Sequence, residues 1–349
     1  MKSRNVWRPS VERAERALLE RFERALEETV SVLLVPMRGS PIGDQVRWHF
    51  GIGTGGGGPR RGKRLRPRLL FNAAFEENGT FEQAVDAAVA IECLHNYSLV
   101  HDDIEDGDKL RHGSETVWAR YGVAHGVNAG DSMCAVSYLA LLRNTATLPP
   151  KRIVGMMQVL HEANLGMCAG QGYDIEFETA ANVTMEQYLA MIDGKTAALF
   201  GASCELGARA TGAADDRGSA YGELGRCYGR AFQIRDDVLG TWGSPEETGK
   251  PSGSDIARRK WSFPVVWALS REPSPARDVI MRRYALSTPM EAADVRAIVE
   301  ALDVLGARRA ADEAVDGQLR DAESVAERYQ IDRGMTVRNL FTSSARRVA

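Results

Sequence analysis

Asp102, Asp103 and Asp106 stand in the run SLVHDDIEDGD, directly after the apolar residues Ile91, Leu94, Leu99 and Val100. On a helix, positions four apart lie one turn apart on one face, so Asp102 and Asp106 point the same way with Asp103 beside them. Like charges at that spacing repel, and the helix dipole disfavours acids at a C-terminal end. A hard divalent cation bridged to phosphate oxygens resolves the repulsion, because magnesium takes a few carboxylates, waters and substrate phosphates. The alternative is an acidic helix end turned to solvent. A second pair, Asp236-Asp237 in AFQIRDDVLGTWG, also ends an apolar helical pattern, with Gly240 one turn on. Polar loops follow both, at 107–116 and 241–258. One such pair is weak as a signal. Two in the same setting suggest acidic walls around metals and a polyphosphate.

Basic residues that could meet such a ligand lie in TGGGGPRRGKRLRP, from Thr54 to Pro67. Gly57 to Lys63 matches G-x-x-x-x-G-K, but Arg64 stands where a nucleotide-binding loop needs Ser or Thr. Such a loop also needs a strand before it, and none is predicted. The nucleotide reading therefore fails. Lys63, Arg64 and Arg66 remain at a helix start, where amides and dipole favour anions. The alternative is a solvated basic turn.

Helices must carry all of these groups. Thr80-Phe-Glu-Gln83, Thr184-Met-Glu-Gln187 and Thr288-Pro-Met-Glu291 are capping-box patterns, the last with Pro289 as the expected first helical residue. Helical spacing starts at Thr80 and continues towards Asp106. It also covers 10–35, 64–77, 124–143, 150–178, 185–211, 216–240 and most of 259–329. No run of period-two strands stands out. The expected architecture is all-α, one domain over 1–349, with a flexible Gly-rich loop at 38–62 and a flexible tail at 341–349.

Composition narrows the partners. The 349 residues carry a net charge of −3 and are 44% hydrophobic, enough for a large core. No global field favours nucleic acid. Five cysteines without a C-x-x-C exclude the common zinc and redox motifs. An odd count and a charged N-terminus fit a cytoplasmic protein. No apolar run approaches the roughly 20 residues of a membrane span.

At GKRLRP (62–67), HNYSLVHDDIED (95–106), LRHG (110–113), AGD (129–131), GQGYD (170–174), GKTAAL (194–199), FQIRDD (232–237) and GKPSGSD…K…P (249–264), the chain resembles the trans-isoprenyl diphosphate synthases. These form the polyprenyl synthetase family. The resemblance spans about residues 60–270, and several uncommon blocks recur in order. It implies an all-α fold around a deep central cavity, usually a homodimer. The implied reaction joins isopentenyl diphosphate to an allylic diphosphate with three Mg²⁺ ions. Asp102 and Asp106 would hold two of them, with Asp103 in support. Asp236 would hold the third, helped by Asp237. Arg111, Lys195, Lys250 and Lys260 would grip the allylic diphosphate. Lys63, Arg66 and His95 would hold isopentenyl diphosphate, with Arg64 left to orient the turn. Thr196 and Gln233 would steady a carbocation by their dipoles, while Gln171 and Asp174 give support.

Two departures from the family pattern stand out. His112 replaces the second of two adjacent arginines, which implies a pH-sensitive contact to isopentenyl diphosphate. Gly240 replaces the third acid of the second cluster. Product length follows from the helix itself, since one isoprene unit is about one helix turn long, roughly 5 Å. A chain anchored at Asp102 grows back along the helix towards Ser98 and Tyr97. An aromatic at Tyr97 resembles short-chain synthases, C20 first and C15 next. Competing readings are a class I terpene cyclase, whose second motif N-x-x-x-S-x-x-x-E is not found, and a non-catalytic partner subunit.

Overall fold

Most of the backbone that the computed structural model describes, residues 8–53, 62–245, 251–286, 288–332 and 339, is helical. In chain order the helices are α1 (Arg8–Leu33), α2 (Pro41–His49), α3 (Leu65–Glu76), α4 (Phe81–Glu105), α5 (Val117–Tyr121), α6 (Val123–Leu142), α7 (Pro150–Phe177), α8 (Met185–Ile192), α9 (Ala198–Ala210), α10 (Asp215–Trp242), α11 (Ser254–Ala257), α12 (Phe263–Leu269), α13 (Pro275–Tyr284), α14 (Ala292–Leu305) and α15 (Ala307–Tyr329). Among the described residues no helix is long and apolar enough to cross a membrane. The chain divides into two compact units, Met1–Gln158 with Leu206–Ala213 and Val159–Glu205 with Ala214–Ala349. Two of the boundaries fall inside α7 and α9, so no change in composition marks them.

α4 organises the first unit. Ala84, Ala87, Ala88, Val89, Ala90, Ile91, Cys93 and Leu94 are all buried, as in a helix enclosed by others. It packs against α1, α3 and α6. The last contact is close because of Gly130: a Cβ there would lie 2.2 Å from His101 Nε2. The His101 ring thus rests on α6, with Nε2 donating to the Val127 carbonyl at 3.1 Å. Thr80 caps α4 as the sequence predicts. Its hydroxyl accepts from the Gln83 amide, and Gln83 Oε1 accepts from the Thr80 amide at 2.9 Å. Thr184 and Gln187 repeat the pair at the start of α8.

Some expectations are corrected. Residues 41–49, expected within a flexible loop, form α2, with Pro41 in its first turn. Its Gly43 serves close packing, since a Cβ would lie 2.6 Å from the Met37 carbonyl. The third capping box does not form. Arg259 holds the Thr288 carbonyl, and α14 starts instead from Glu291, which shares a reciprocal cap with Asp294. A small antiparallel hairpin, β1 (Leu110–Arg111) and β2 (Ser114–Glu115), interrupts the helices. Residues 54–61, Lys250 and the tail at 341–349 lie outside the described residues.

In the second unit, α10 packs along α15 and against the segment that joins α8 to α9. The sequence predicts one helix over 185–211. It is broken by a π turn at Asp193–Ala197. α7 lies on the backbone of this turn: a Cβ on Gly170 would be 2.0 Å from the Lys195 nitrogen, and one on Gly194 would be 2.5 Å from the Gly166 carbonyl. Single π turns commonly mark functional sites.

Candidate active site

The end of α4 presents the first acidic cluster. Asp102 and Asp106 lie one turn apart and are partly exposed, whereas Asp103 is buried. Arg111 reaches back from the hairpin, its Nε donating to Asp103 Oδ1 at 2.7 Å and its Nη2 lying 4.0 Å from Asp102. Burial raises the Asp103 pKa to about 6, against the pull of Arg111. The hairpin turns through His112 and Gly113, whose φ values are 52° and 78°. Two such residues in succession make the tight loop that suits a twisted hairpin. They hold Arg111 over the carboxylates and leave His112 exposed at the tip. Trp118 Nε1 and the Thr116 hydroxyl both donate to the Asp108 carbonyl, fastening the base of this loop.

The basic turn lies in the same unit. Lys63 is exposed, and Arg64 is the N-cap of α3 with φ 51°. That left-handed conformation costs an L-residue about 1–2 kcal/mol. The Arg64 side chain is buried. Its Nε donates to Glu23 of α1 at 2.7 Å, and its Nη1 donates to Glu92 of α4. Asn96 Nδ2 donates to the same Glu92 oxygen at 2.9 Å, and His49 Nε2 of α2 donates to Asn96 Oδ1 at 2.8 Å. Two residues beyond Arg64, Arg66 Nη1 donates to His95 Nε2 at 3.0 Å. Burial, with Arg66 and Arg111 nearby, holds His95 well below its ordinary pKa, so it is neutral. Burial also lowers Arg66, to about 10, which leaves it charged at neutral pH.

His49 makes this network acid-sensitive. Burial lowers its pKa to about 4, opposed by its bond to Asn96 and aided by Arg64 and Arg111. A folded value below the unfolded 6.5 gives stability that is complete above pH 6.5 and is lost as pH falls towards 4. The loss at pH 5 is about 2 kcal/mol. Urea unfolding at pH 7.5 and 5 checks this. His49→Gln, which keeps a donor for Asn96, is expected to remove that share of the pH dependence.

In the second unit, Asp236 is exposed on α10 while Asp237 is buried. Asp237 accepts from the Tyr188 hydroxyl at 2.7 Å, the Phe263 amide at 2.8 Å and Gln233 Nε2 at 3.0 Å. Burial raises its pKa to about 7 against these donors. So placed, Asp237 ties α8, α10 and α12 together and fixes the direction of Asp236. The Thr196 hydroxyl donates to Gln233 Oε1 at 2.7 Å, which joins the π turn to the same chain of bonds. Lys195 Nζ donates to Asp174 Oδ2 at 2.6 Å. Burial favours a protonated Asp174, but Lys195, with Lys260 near it, holds its pKa below the ordinary value. Gln171 is partly buried on α7, one turn before Asp174.

Gly240 has an unexpected neighbour. A Cβ there would lie 1.8 Å from Asp255 Oδ2 and 2.3 Å from its Cγ. The Asp255 carboxylate, from α11, thus fills the place that a side chain at 240 would take. α11 is held in position by Ile256, which is fully buried, and by Gly253, which lies against Val295.

Asp102 and Asp106 in the first unit, and Asp236 and Asp255 in the second, each offer hard oxygens of the kind magnesium takes, with partial exposure or more. No group of three or more such side chains converges to hold a metal among the described residues. Sequence reasoning missed Glu23, His49 and Tyr188, whose partners are 41 to 49 residues away, and Asp255, which lies against a glycine. Glu92 and Asn96 had a signal: two polar residues four apart inside an apolar helix.

Comparison with known proteins gives a consistent result. The polyprenyl synthetase family model matches residues 59–302. A geranylgeranyl diphosphate synthase of Mycobacterium tuberculosis is 35% identical over 313 residues, 87% of each chain. A (2E,6E)-farnesyl diphosphate synthase of Mycobacterium bovis is 36% identical over 269 residues, 76% of this chain and 74% of the other. The crystal structure of a geranylgeranyl pyrophosphate synthetase from Pyrococcus horikoshii covers 96% of this chain and 99% of its own, with TM-score 0.81 and 29% identity. The acidic helix end under its arginine, the basic turn beside a neutral histidine and the π-turn lysine therefore belong to a chain that is a member of the polyprenyl synthetase family.

Proposed function

We propose that this protein is a short-chain prenyl diphosphate synthase that joins isopentenyl diphosphate to allylic diphosphates, with the C20 product favoured and C15 next. The observation that carries the reading is the end of α4, where Asp102 and Asp106 share one face and Arg111 is fixed over Asp103. Asp102, Asp106 and Asp236 would hold the magnesium ions, three per site, and Asp103 and Asp237 orient them through Arg111 and through α10. Bound magnesium supplies positive charge to the departing diphosphate. Arg111, Lys195, Lys250 and Lys260 add to that charge, which stabilises the leaving group as the allylic C–O bond ionises. Lys63, Arg66 and His95 position isopentenyl diphosphate so that its double bond attacks the carbocation. His112, exposed at the hairpin tip, is assigned to the same substrate. Thr196 and Gln233 turn oxygen lone pairs to the cation, since the Thr196 proton is already given to Gln233. The released diphosphate takes the final proton.

The test uses purified protein, Mg²⁺, isopentenyl diphosphate and each of the C5, C10 and C15 allylic diphosphates. Release of diphosphate with a C20 product is expected. No turnover with any primer would indicate a partner subunit. Hydrocarbon from geranylgeranyl diphosphate alone would indicate a cyclase.

Tyr97 sets the product length in this reading. Its ring packs edge-on against His101, centroids 5.0 Å apart, and His101 is pressed onto Gly130. Ser98 is tied to the His95 carbonyl at 2.8 Å. Tyr97→Ala is expected to lengthen the product by at least one unit, about 5 Å of chain. Chromatography of the dephosphorylated products decides it, and an unchanged length rejects Tyr97 as the floor. The homodimer expected from the family is assigned to α6, where Val127, Leu139 and Leu142 are exposed. Sedimentation measures that assembly.

A further inference from the structure

We propose that Arg64 is a positioning residue for isopentenyl diphosphate: its buried fork on Glu23 and Glu92 holds the turn that aims Lys63 and Arg66. The inference rests on the function proposed above. Arg64 itself has no way to reach a substrate, because its side chain is buried and spent on two carboxylates. Its backbone does the aiming. The left-handed φ of 51° reverses the chain directly between exposed Lys63 and the first turn of α3. The Arg64 carbonyl then accepts the first bond of that turn, from the Arg68 amide at 3.1 Å.

An L-residue rarely adopts this conformation unless its surroundings enforce it. Here the surroundings do so from two sides. Glu23 accepts from Nε and also from Nη2, at 2.7 and 3.3 Å, while Glu92 takes Nη1. A planar guanidinium can satisfy both directions at once, and an ammonium cannot. Asn96 holds Glu92 in place from the next turn of α4. Glu92 therefore shares a helix with His95, so one rigid element sets both ends of the Arg66–His95 contact.

The experiment compares Arg64→Lys, Arg64→Gly and Glu92→Gln by steady-state kinetics and thermal melting. All three are expected to raise KM for isopentenyl diphosphate by up to about 100-fold, the scale of a misplacement near 1 Å. The allylic KM and kcat at saturation are expected to stay within about threefold. Glycine tests the backbone alone, since it accepts φ 51° at no steric cost. If Arg64→Gly kept the wild-type KM, the turn would need only its conformation and the clamp would be rejected. Glu92→Gln breaks the clamp without touching the turn. It reports even where an Arg64 variant folds poorly. Combined with Arg64→Lys it should add less than the product of the single effects, and full additivity would overturn the proposal. An equal rise in both KM values would do so too, since it would mark general loosening. Failure of the wild type to use isopentenyl diphosphate would instead sink the proposed function.

Discussion

Asp102→Asn is expected to lower kcat by about three orders of magnitude while the protein remains folded. Asp102 is partly exposed, with Arg111 Nη2 4.0 Å from its carboxylate. Asn keeps the size and shape of Asp, so the substitution changes charge and leaves packing alone. In the proposed reaction, removing that charge weakens the hold on magnesium where negative charge accumulates on the leaving group. Asp103→Asn should behave differently. Its carboxylate is buried on Arg111 at 2.7 Å, so the variant frees Arg111 and raises the allylic KM by about tenfold. Steady-state kinetics at varied Mg²⁺ separates the two. Excess Mg²⁺ should recover part of the Asp102→Asn loss and none of the Asp103→Asn loss. Equal behaviour of both variants would reject the division of labour drawn from their burial.

Gly170→Ala should reduce kcat about 100-fold and destabilise the protein by about 1–3 kcal/mol. The new Cβ would stand 2.0 Å from the Lys195 nitrogen and 2.7 Å from the Met191 carbonyl. Both are backbone atoms, so no side chain can swing away to relieve the contact. α7 must move off the π turn, and the Lys195–Asp174 pair at 2.6 Å moves with it. Thr196, one residue on, loses its line to Gln233 at 2.7 Å. Gly172→Ala is the control. Nothing lies within 4 Å of a Cβ at 172, so this variant should gain about 0.5–1 kcal/mol from helix propensity and keep its activity. Kinetics with urea unfolding of both variants checks the pair, and an active Gly170→Ala would show that the π turn tolerates displacement.

These predictions draw on features that differed in legibility. The helices of 81–105 and 150–177 could be read from apolar spacing, and two of three capping boxes formed because Thr and Gln three apart make their own bonds. Asp102, Asp106 and Asp236 could be singled out as candidates because their charge conflicts with the helix ends that carry them. Local pattern failed where a distant atom decided the outcome. Thr288 had the letters of a cap but gave its carbonyl to Arg259. The π turn left only Gly194 as a mark in 185–211, because what shapes it is its contact with Gly166 and Gly170 on another helix. Asp237 looked like a second metal residue beside Asp236. Only the hydroxyl of Tyr188 and the amide of Phe263, 49 and 26 residues away, reveal its inward direction.

Gly240 and Asp255 carry a lesson for anyone who would repair this enzyme by its relatives. Counted along the chain, the second cluster is one acid short. Counted around α10, a carboxylate does stand there, because Asp255, fifteen residues later, occupies the vacant address. Writing the common acid back into position 240 would set two negative groups in competition for a single berth. A consensus revision would thus evict the resident that already fills the post.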